Sequence, residues 1–535
     1  MRSTMMRFPL TLAHLLERAG KLFPECEIVS RLPDKSLHRH TYADFCRRAR
    51  SLGGALQAMG LRRGERVATL MWNHYAHLEA YFGIPCAGGV LHTLNLRLHP
   101  DDIAYIANHA ADRFLIVDEA LLPLYDRIRA RIDFEKVIVV PLSGASVAAG
   151  FEDYEALIAR SRPMDLPALE EEDPAGMCYT SGTTGRPKGV VYSHRALVLH
   201  SLASALPDVL GIAHSDNVCP VVPMFHVNAW GIPFTAVMVG AKLVFPGPHL
   251  DAASLLDLFE REQVTLTAGV PTVWMGILGA LEQEPDRWKL VPGMRMVVGG
   301  AAAPEAMIRA FDRFGLRVIH GWGMTETAPV ALVNVLKRGL EAAAPDERYA
   351  LRAKQGLPLP FVEVRIMTAE GEAQRDGISL GELEVRGPWI AAGYHGPERE
   401  PDRWAPDGWL RTGDVATMDA HGYVKITDRI KDLVKSGGEW ISSVDLENAL
   451  VGHPKVAEAA VIAVPDPKWG ERPLAVVVPK PGQTLTQEEL REHLAPKFAK
   501  FWLPDGFEFV DELPRTSTGK VMKARLREQF KNWKS

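Results

Sequence analysis

Short runs of β-branched and aliphatic residues alternate with amphipathic segments along most of the chain, and this alternation constrains the fold more than any other feature. FLIVD (114–118), KVIVV (136–140), KLVF (242–245), RMVVGG (295–300) and LRVIHG (316–321) read as buried strands. SLLDLFEREQ (254–263) and PEAMIRAFDRFG (304–315) read as helices between strands. Apolar strands separated by helices predict parallel sheets covered on both faces, an α/β class. From about 356 the texture becomes β-rich and Gly-punctuated, with VEVRIM (362–367), GELEVRG (381–387) and GYVKI (422–426), which suggests a barrel-like subdomain against the sheets. A charged stretch, TDRIKDLVKSGGEW (427–440), leads into a compact α+β pattern. That pattern has helices at 444–453 and 487–498 and strands at 458–465 and 474–480. The expected organisation is a large N-terminal domain (1–427), a hinge (428–433) and a small, mobile C-terminal domain (434–535). A unit of roughly a hundred residues is large enough to fold by itself.

Composition excludes several classes of protein. At 535 residues, with 47% hydrophobic and 24% charged residues, the chain is neither disordered nor membrane-embedded. A net charge of -5 gives no electrostatic reason to expect nucleic acid as a partner. Cys26, Cys46, Cys86, Cys178 and Cys219 are scattered, without CxxC or Cys/His spacing, which argues against a disulfide framework or zinc site and fits a reducing cytoplasm. The N-terminus imitates a signal peptide, but His14, Glu17 and Arg18 break its apolar run, and Leu10, Leu12, Leu15 and Leu16 read as a helix face. No stretch reaches the roughly 18 apolar residues of a membrane span.

The sharpest local signal is Tyr179-Thr180-Ser181-Gly182-Thr183-Thr184-Gly185-Arg186-Pro187-Lys188-Gly189. Glycines let backbone N–H groups approach an anion, hydroxyls reach phosphate oxygens or Mg²⁺, and the cations offset charge. It is not a Walker A loop, because Pro187 stands where that motif demands glycine.

This segment resembles the phosphate-loop signature of the adenylate-forming superfamily, which includes acyl-CoA synthetases, peptide-synthetase adenylation domains and firefly luciferase. The resemblance runs essentially from end to end. It is strongest to bacterial medium- and long-chain fatty acyl-CoA synthetases, through PMFHVNAWG, TAGVPTVW, IKDLVKSGGEWISSVDLENAL and PRTSTGK.

The resemblance assigns roles to the later motifs. Gly299-Gly300-Ala301-Ala302-Ala303-Pro304 follows an apolar run, so it sits where a parallel strand ends and leaves room for a flat purine. In Gly321-Trp322-Gly323-Met324-Thr325-Glu326, the resemblance implies that Trp322 lines the adenine pocket, Thr325 meets the α-phosphate and Glu326 binds Mg²⁺ with Thr184. Trp322 departs from the common Tyr but keeps a planar ring. Asp414 resembles the carboxylate that accepts from the ribose diol, with Arg429 beside it. Lys520 resembles the catalytic lysine, an ammonium that stabilises charge as pyrophosphate leaves. Lys431 stands at the hinge position and Lys435 joins the expected nucleotide-binding set, while Gly437, Gly438, Glu439 and Trp440 form the expected coenzyme A face. Read without the resemblance, Asp414 is a turn residue, Lys520 a solvated lysine and the hinge a charged linker.

For the acid, the resemblance places His226 beside the acyl adenylate and makes Trp230 a gate to a fatty-acid tunnel, with Gly323 nearby. The i, i+4 spacing would put His226 and Trp230 on one helix face, and Gly231, Gly240 and Gly276 would keep the tunnel open. The expected activity is ATP-dependent, AMP-forming ligation of a medium- or long-chain fatty acid to coenzyme A. Some relatives with this text activate short acids such as methylmercaptopropionate. An enzyme loading a carrier protein would share the nucleotide motifs, but no carrier domain follows Lys520. A non-catalytic nucleotide binder would be expected to lack Glu326, Asp414 or Lys520. Relatives are often homodimers through the large domain.

Overall fold

The computed structural model describes residues 3–180, 186–397, 400–437, 439–516 and 520–533. Two mostly parallel sheets carry the large domain. One has nine strands, in the order Leu357–Pro358, Val330–Val333, Arg317–Gly323, Arg295–Val298, Leu266–Gly269, Asn217–Pro220, Lys242–Phe245, Glu27–Arg31 and Leu37–Thr41. The other has seven, ordered Glu152–Asp153, Lys136–Val140, Phe114–Asp118, Arg66–Leu70, Val90–Thr93, Pro174–Tyr179 and Gly189–Ser193. The parallel strands are buried along nearly their whole length, which is why they read as continuous apolar runs.

Helices between the strands follow their caps. The helix expected at 254–263 begins at Ala252, because Asp251 accepts from the Ser254 N–H and fixes the first turn. Its buried face is Leu255, Leu256, Leu258 and Phe259, packed with Trp274 and Ile277 of the helix Pro271–Gln283. The helix Leu12–Leu22 buries Leu12, Leu15 and Leu16, so the N-terminal leucines serve the core.

The barrel-like tract is a five-stranded antiparallel sheet, in the order Gly371–Glu372, Glu363–Thr368, Gly381–Arg386, Leu410–Met418 and Val424–Arg429. The chain leaves it at Arg429 and enters the last sheet at Val434. That sheet pairs Glu439–Ile441, Val434–Ser436, Gly470–Pro479 and Val456–Asp466, with Gly506–Phe509 joined to Gly470–Pro479. Its apolar core includes Val461, Ala475, Val477, Leu490 and Phe507. The two parts are tied beside the crossover. The buried Asp428 carboxylate accepts from the Ser443 N–H at 2.8 Å, and Arg527 pairs with Asp432 at 2.6 Å.

Candidate functional site

The site gathers at the carboxyl ends of the parallel strands, where loops must turn away from the sheet. In the nine-stranded sheet Val297 pairs with Ile319 and Val298 with His320, so residues 299–302 and Gly321 leave adjacent strands at one level. Gly300 turns with φ +81°, and the side chain of Lys520 lies there, its Cε 3.5 Å from where a Cβ on Gly300 would stand. Ala301 is exposed and Ala302 half-buried beside it, so this rim presents only small side chains.

The strand Arg317–Gly323 ends in its motif, with Gly321, Trp322 and Gly323 half-buried. Gly323 admits no side chain, because a Cβ there would lie 1.8 Å from the Pro329 carbonyl oxygen. The Met324 N–H donates to the Thr327 hydroxyl at 2.8 Å, and the Thr325 carbonyl accepts from the Tyr192 hydroxyl at 2.7 Å. Thr325 and Glu326 are thereby buried in a 3-10 turn. The Glu326 carboxylate accepts from the Tyr394 hydroxyl at 2.6 Å and from the Arg403 guanidinium at 3.2 Å.

Asp414 sits in the strand Leu410–Met418, opposite Arg429 in the neighbouring strand, and the Arg429 Nε is 3.5 Å from its carboxylate. The Trp322 indole N–H donates to the other Asp414 oxygen at 2.9 Å, so this ring holds the carboxylate as well as offering a flat face. Burial pushes the Asp414 carboxyl up, against the pull of Arg429, the indole and Lys520.

The phosphate motif lies in the chain between Pro174–Tyr179 and Gly189–Ser193, two strands that pair antiparallel. Thr180 and Lys188 clamp its base: the Thr180 N–H donates to the Lys188 carbonyl at 2.9 Å, and the Lys188 N–H to the Thr180 hydroxyl at 3.1 Å. The element that follows the motif is the strand Gly189–Ser193, whereas a Walker motif opens a helix. Ser181, Gly182, Thr183, Thr184 and Gly185, including the expected metal ligand Thr184, lie outside the described residues, as does Gly438.

Lys520 is half-buried, and burial lowers its ammonium to about 8, with Arg429 lowering it further and Asp414 and Glu326 opposing. Burial likewise pushes His226 down to about 3, with Lys520 and Arg97 adding to the effect. His226 is therefore neutral at physiological pH. The Lys431 ammonium is lowered by partial burial and by Arg429. Lys435 and Trp440 face each other in the hairpin of Val434–Ser436 and Glu439–Ile441, and Trp440 is 42% exposed. Gly437 turns this hairpin with φ +60°, donating its N–H to the Trp469 carbonyl at 2.8 Å. A Cβ on Gly437 would lie 2.8 Å from the Trp469 ring.

The helix-face reading of His226 and Trp230 is wrong. Val227, Asn228, Ala229 and Trp230 have φ of 43°, 52°, 47° and 58°, a left-handed turn that no residue periodicity announces. The Trp230 ring reaches back to Gly299, where a Cβ would stand 3.0 Å from it. Two of the three glycines read as tunnel space are packing positions instead. A Cβ on Gly231 would meet His200 at 2.7 Å, and one on Gly240 would meet Phe23 at 2.3 Å. Gly276 has open space where a Cβ would go. Tyr394, Glu400 and Arg403 were not expected. No motif marks them, and for Glu400 and Arg403 only charge, opposite Lys188 and Glu326, could have pointed to them.

Two family profiles match the chain: the AMP-binding enzyme profile covers residues 16–395, and the AMP-binding enzyme C-terminal domain profile covers residues 445–520. The chain belongs to the AMP-binding enzyme family. A long-chain-fatty-acid–CoA ligase of Thermus thermophilus is 54% identical, over 99% of this chain and 97% of its own length. A medium-chain-fatty-acid–CoA ligase of Ectopseudomonas oleovorans is 44% identical, over 99% of this chain and 98% of its own. Among solved structures, the anthranilate CoA ligase AuaEII in complex with anthranoyl-AMP superposes with TM-score 0.87 at 27% identity, covering 99% of each chain. The adenylate-forming fold expected from the motifs is thus the fold of this AMP-binding enzyme.

Proposed function

We propose that the chain is an AMP-forming acid–thiol ligase that adenylates a fatty acid and transfers the acyl group to coenzyme A. The observation that carries this reading is the delivery of Lys520, from the far end of the chain, into the cleft bounded by Gly300, Asp414 and Glu326. In the first step an oxygen of the acid's carboxylate bonds to the α-phosphorus of ATP, and the bond to pyrophosphate breaks. The Lys520 ammonium offsets charge on the reacting phosphate. Asp414, held by Trp322 and Arg429, orients the ribose through its hydroxyls. In the second step the thiol sulfur of coenzyme A attacks the acyl carbon, AMP leaves, and the thiol proton is lost.

Magnesium fits the residues present. It takes hard oxygen ligands and is commonly held by one or two carboxylates plus substrate phosphates. Glu326 offers a buried carboxylate at the cleft, and Thr184 is the expected second ligand. When bound, the ion neutralises phosphate charge. The neutral His226 and the Trp230 ring against Gly299 form the acyl side, and the exposed Trp440 beside the Gly437 turn is the coenzyme A side. A medium- or long-chain acid is favoured by the names of the two relatives above. No described helix is long and apolar enough to cross a membrane. A cytoplasmic homodimer completes the reading.

Lys520→Ala tests it. Acid-dependent pyrophosphate release should fall by about three orders of magnitude, while thioester formation from supplied acyl-AMP should continue. Equal survival of both halves would refute the role of Lys520. A panel of acids from acetate to palmitate, each with and without coenzyme A, fixes the acid and the acceptor.

A further inference from the structure

Between the strands Gly381–Arg386 and Leu410–Met418, Glu400 and Arg403 bring opposite charges to two groups of the site. Glu400 forms an ion pair with Lys188. Arg403, at the end of the 3-10 turn Pro401–Arg403, donates to Glu326 at 3.2 Å. The Glu326 side chain is 5% exposed and that of Arg403 21%, so the pair is largely shielded from water. The fit is built from several sides. Tyr394 donates its hydroxyl to the same Glu326 oxygen, the Ala391 N–H donates to the Glu326 carbonyl at 2.7 Å, and the Trp404 indole N–H ties Arg403's neighbour to the Ala391 carbonyl at 2.8 Å. The Arg403 Nη1 lies 3.6 Å from where a Cβ on Gly413 would stand, next to Asp414. Its Nε is buried and has no partner among the described residues. A buried donor of this kind favours an arriving acceptor.

We infer that Arg403 is the resident counter-cation of Glu326, keeping divalent metal off this carboxylate until a phosphate chain arrives to take the guanidinium over. The inference rests on the proposed role of Glu326 as the metal carboxylate. A buried carboxylate without a cation is costly, and Arg403 supplies one. A metal ion entering alone must displace the guanidinium and strand it. A nucleotide entering with its metal ion exchanges both charges at once, since phosphate oxygens accept from Arg403 while the ion meets Glu326. Arg403 is thus a positioning residue for metal and pyrophosphate, and it makes metal binding depend on nucleotide.

Binding of Mn²⁺, followed by the loss of its free-ion EPR signal, tests this on the full-length protein with and without ATP. Wild type should bind Mn²⁺ weakly without nucleotide. Arg403→Met, which keeps the length of the side chain and removes its charge, should bind it roughly ten-fold more tightly without nucleotide. The same variant should show weaker inhibition by pyrophosphate. Tyr394→Phe removes the neutral partner of the same oxygen and should leave nucleotide-free Mn²⁺ binding within about two-fold of wild type. Thermal melts verify that each variant is folded. Unchanged or weaker nucleotide-free binding in folded Arg403→Met overturns the inference. Glu326→Gln separates the two claims: if it retains ATP-dependent Mn²⁺ binding, the metal role of Glu326 fails. If it loses that binding while Arg403→Met behaves as wild type, only the role of Arg403 fails.

Discussion

The lowered ammonium of Lys520 sets a pH limit on the first half-reaction. Lysine ordinarily titrates near 10.4, so a catalytic lysine in water would stay charged across the working range. Here burial brings Lys520 to about 8, with Arg429 pushing in the same direction and the Asp414 and Glu326 carboxylates opposing. The chemistry needs the charged form, so activity is retained below this value and lost above it. From a value of about 8, roughly nine-tenths of the free enzyme is charged at pH 7 and roughly one-tenth at pH 9. Expected is a descending limb in kcat/KM for ATP that begins near pH 8 and falls about ten-fold per unit. The assay is acid-dependent pyrophosphate release at subsaturating ATP, from about pH 6 to about pH 10, because kcat/KM reports groups of the free enzyme. Asp414→Asn removes a carboxylate that raises Lys520 and should move the limb to lower pH, whatever it does to ATP affinity. Lys520→Arg keeps its charge throughout and should lose the limb, at a lower plateau. Release from supplied acyl-AMP to coenzyme A should not share the limb. A profile flat to about pH 10, or the same limb in Lys520→Arg, would refute the argument.

Two further expectations concern stability. Gly323→Ala would place a methyl group 1.8 Å from the Pro329 carbonyl oxygen, a backbone atom that cannot swing aside. We expect a loss of at least about 3 kcal/mol and a lower melting temperature, with Gly276→Ala, which meets nothing within 4 Å, as the mild control. Burial holds His200 and His320 down to about 4. The unfolded chain takes up these protons near pH 6.5 and the folded one does not, so their stabilising effect is complete above about pH 6.5 and is lost as pH falls towards about 4. Each histidine accounts for roughly 3 kcal/mol across that window. Urea midpoints measured at descending pH should drop, and His200→Gln should flatten the drop; equal slopes would contradict it.

Much of this protein was legible in the sequence because parallel strands buried on both faces leave an unbroken apolar signature. FLIVD, KVIVV and KLVF mark the strands Phe114–Asp118, Lys136–Val140 and Lys242–Phe245 to the residue. The motif at residues 321–326 was legible for a related reason, since its glycines, hydroxyl and carboxylate stand at fixed offsets along one turn. Tertiary structure decided what no local pattern encodes. The left-handed turn at Val227–Trp230 opposes the preference of Val227, Ala229 and Trp230, and its residues Val227, Asn228 and Ala229 are buried in the surrounding core. Gly231 and Gly240 are glycines because His200 and Phe23, distant in sequence, occupy the space of a side chain. Arg403 meets Glu326 across 77 residues of chain, and no local periodicity announces the pair. The sequence therefore determined the fold and the family. Only the packing decided which charge stands opposite which, because electrostatic partners are chosen by distance in space and not by spacing along the chain.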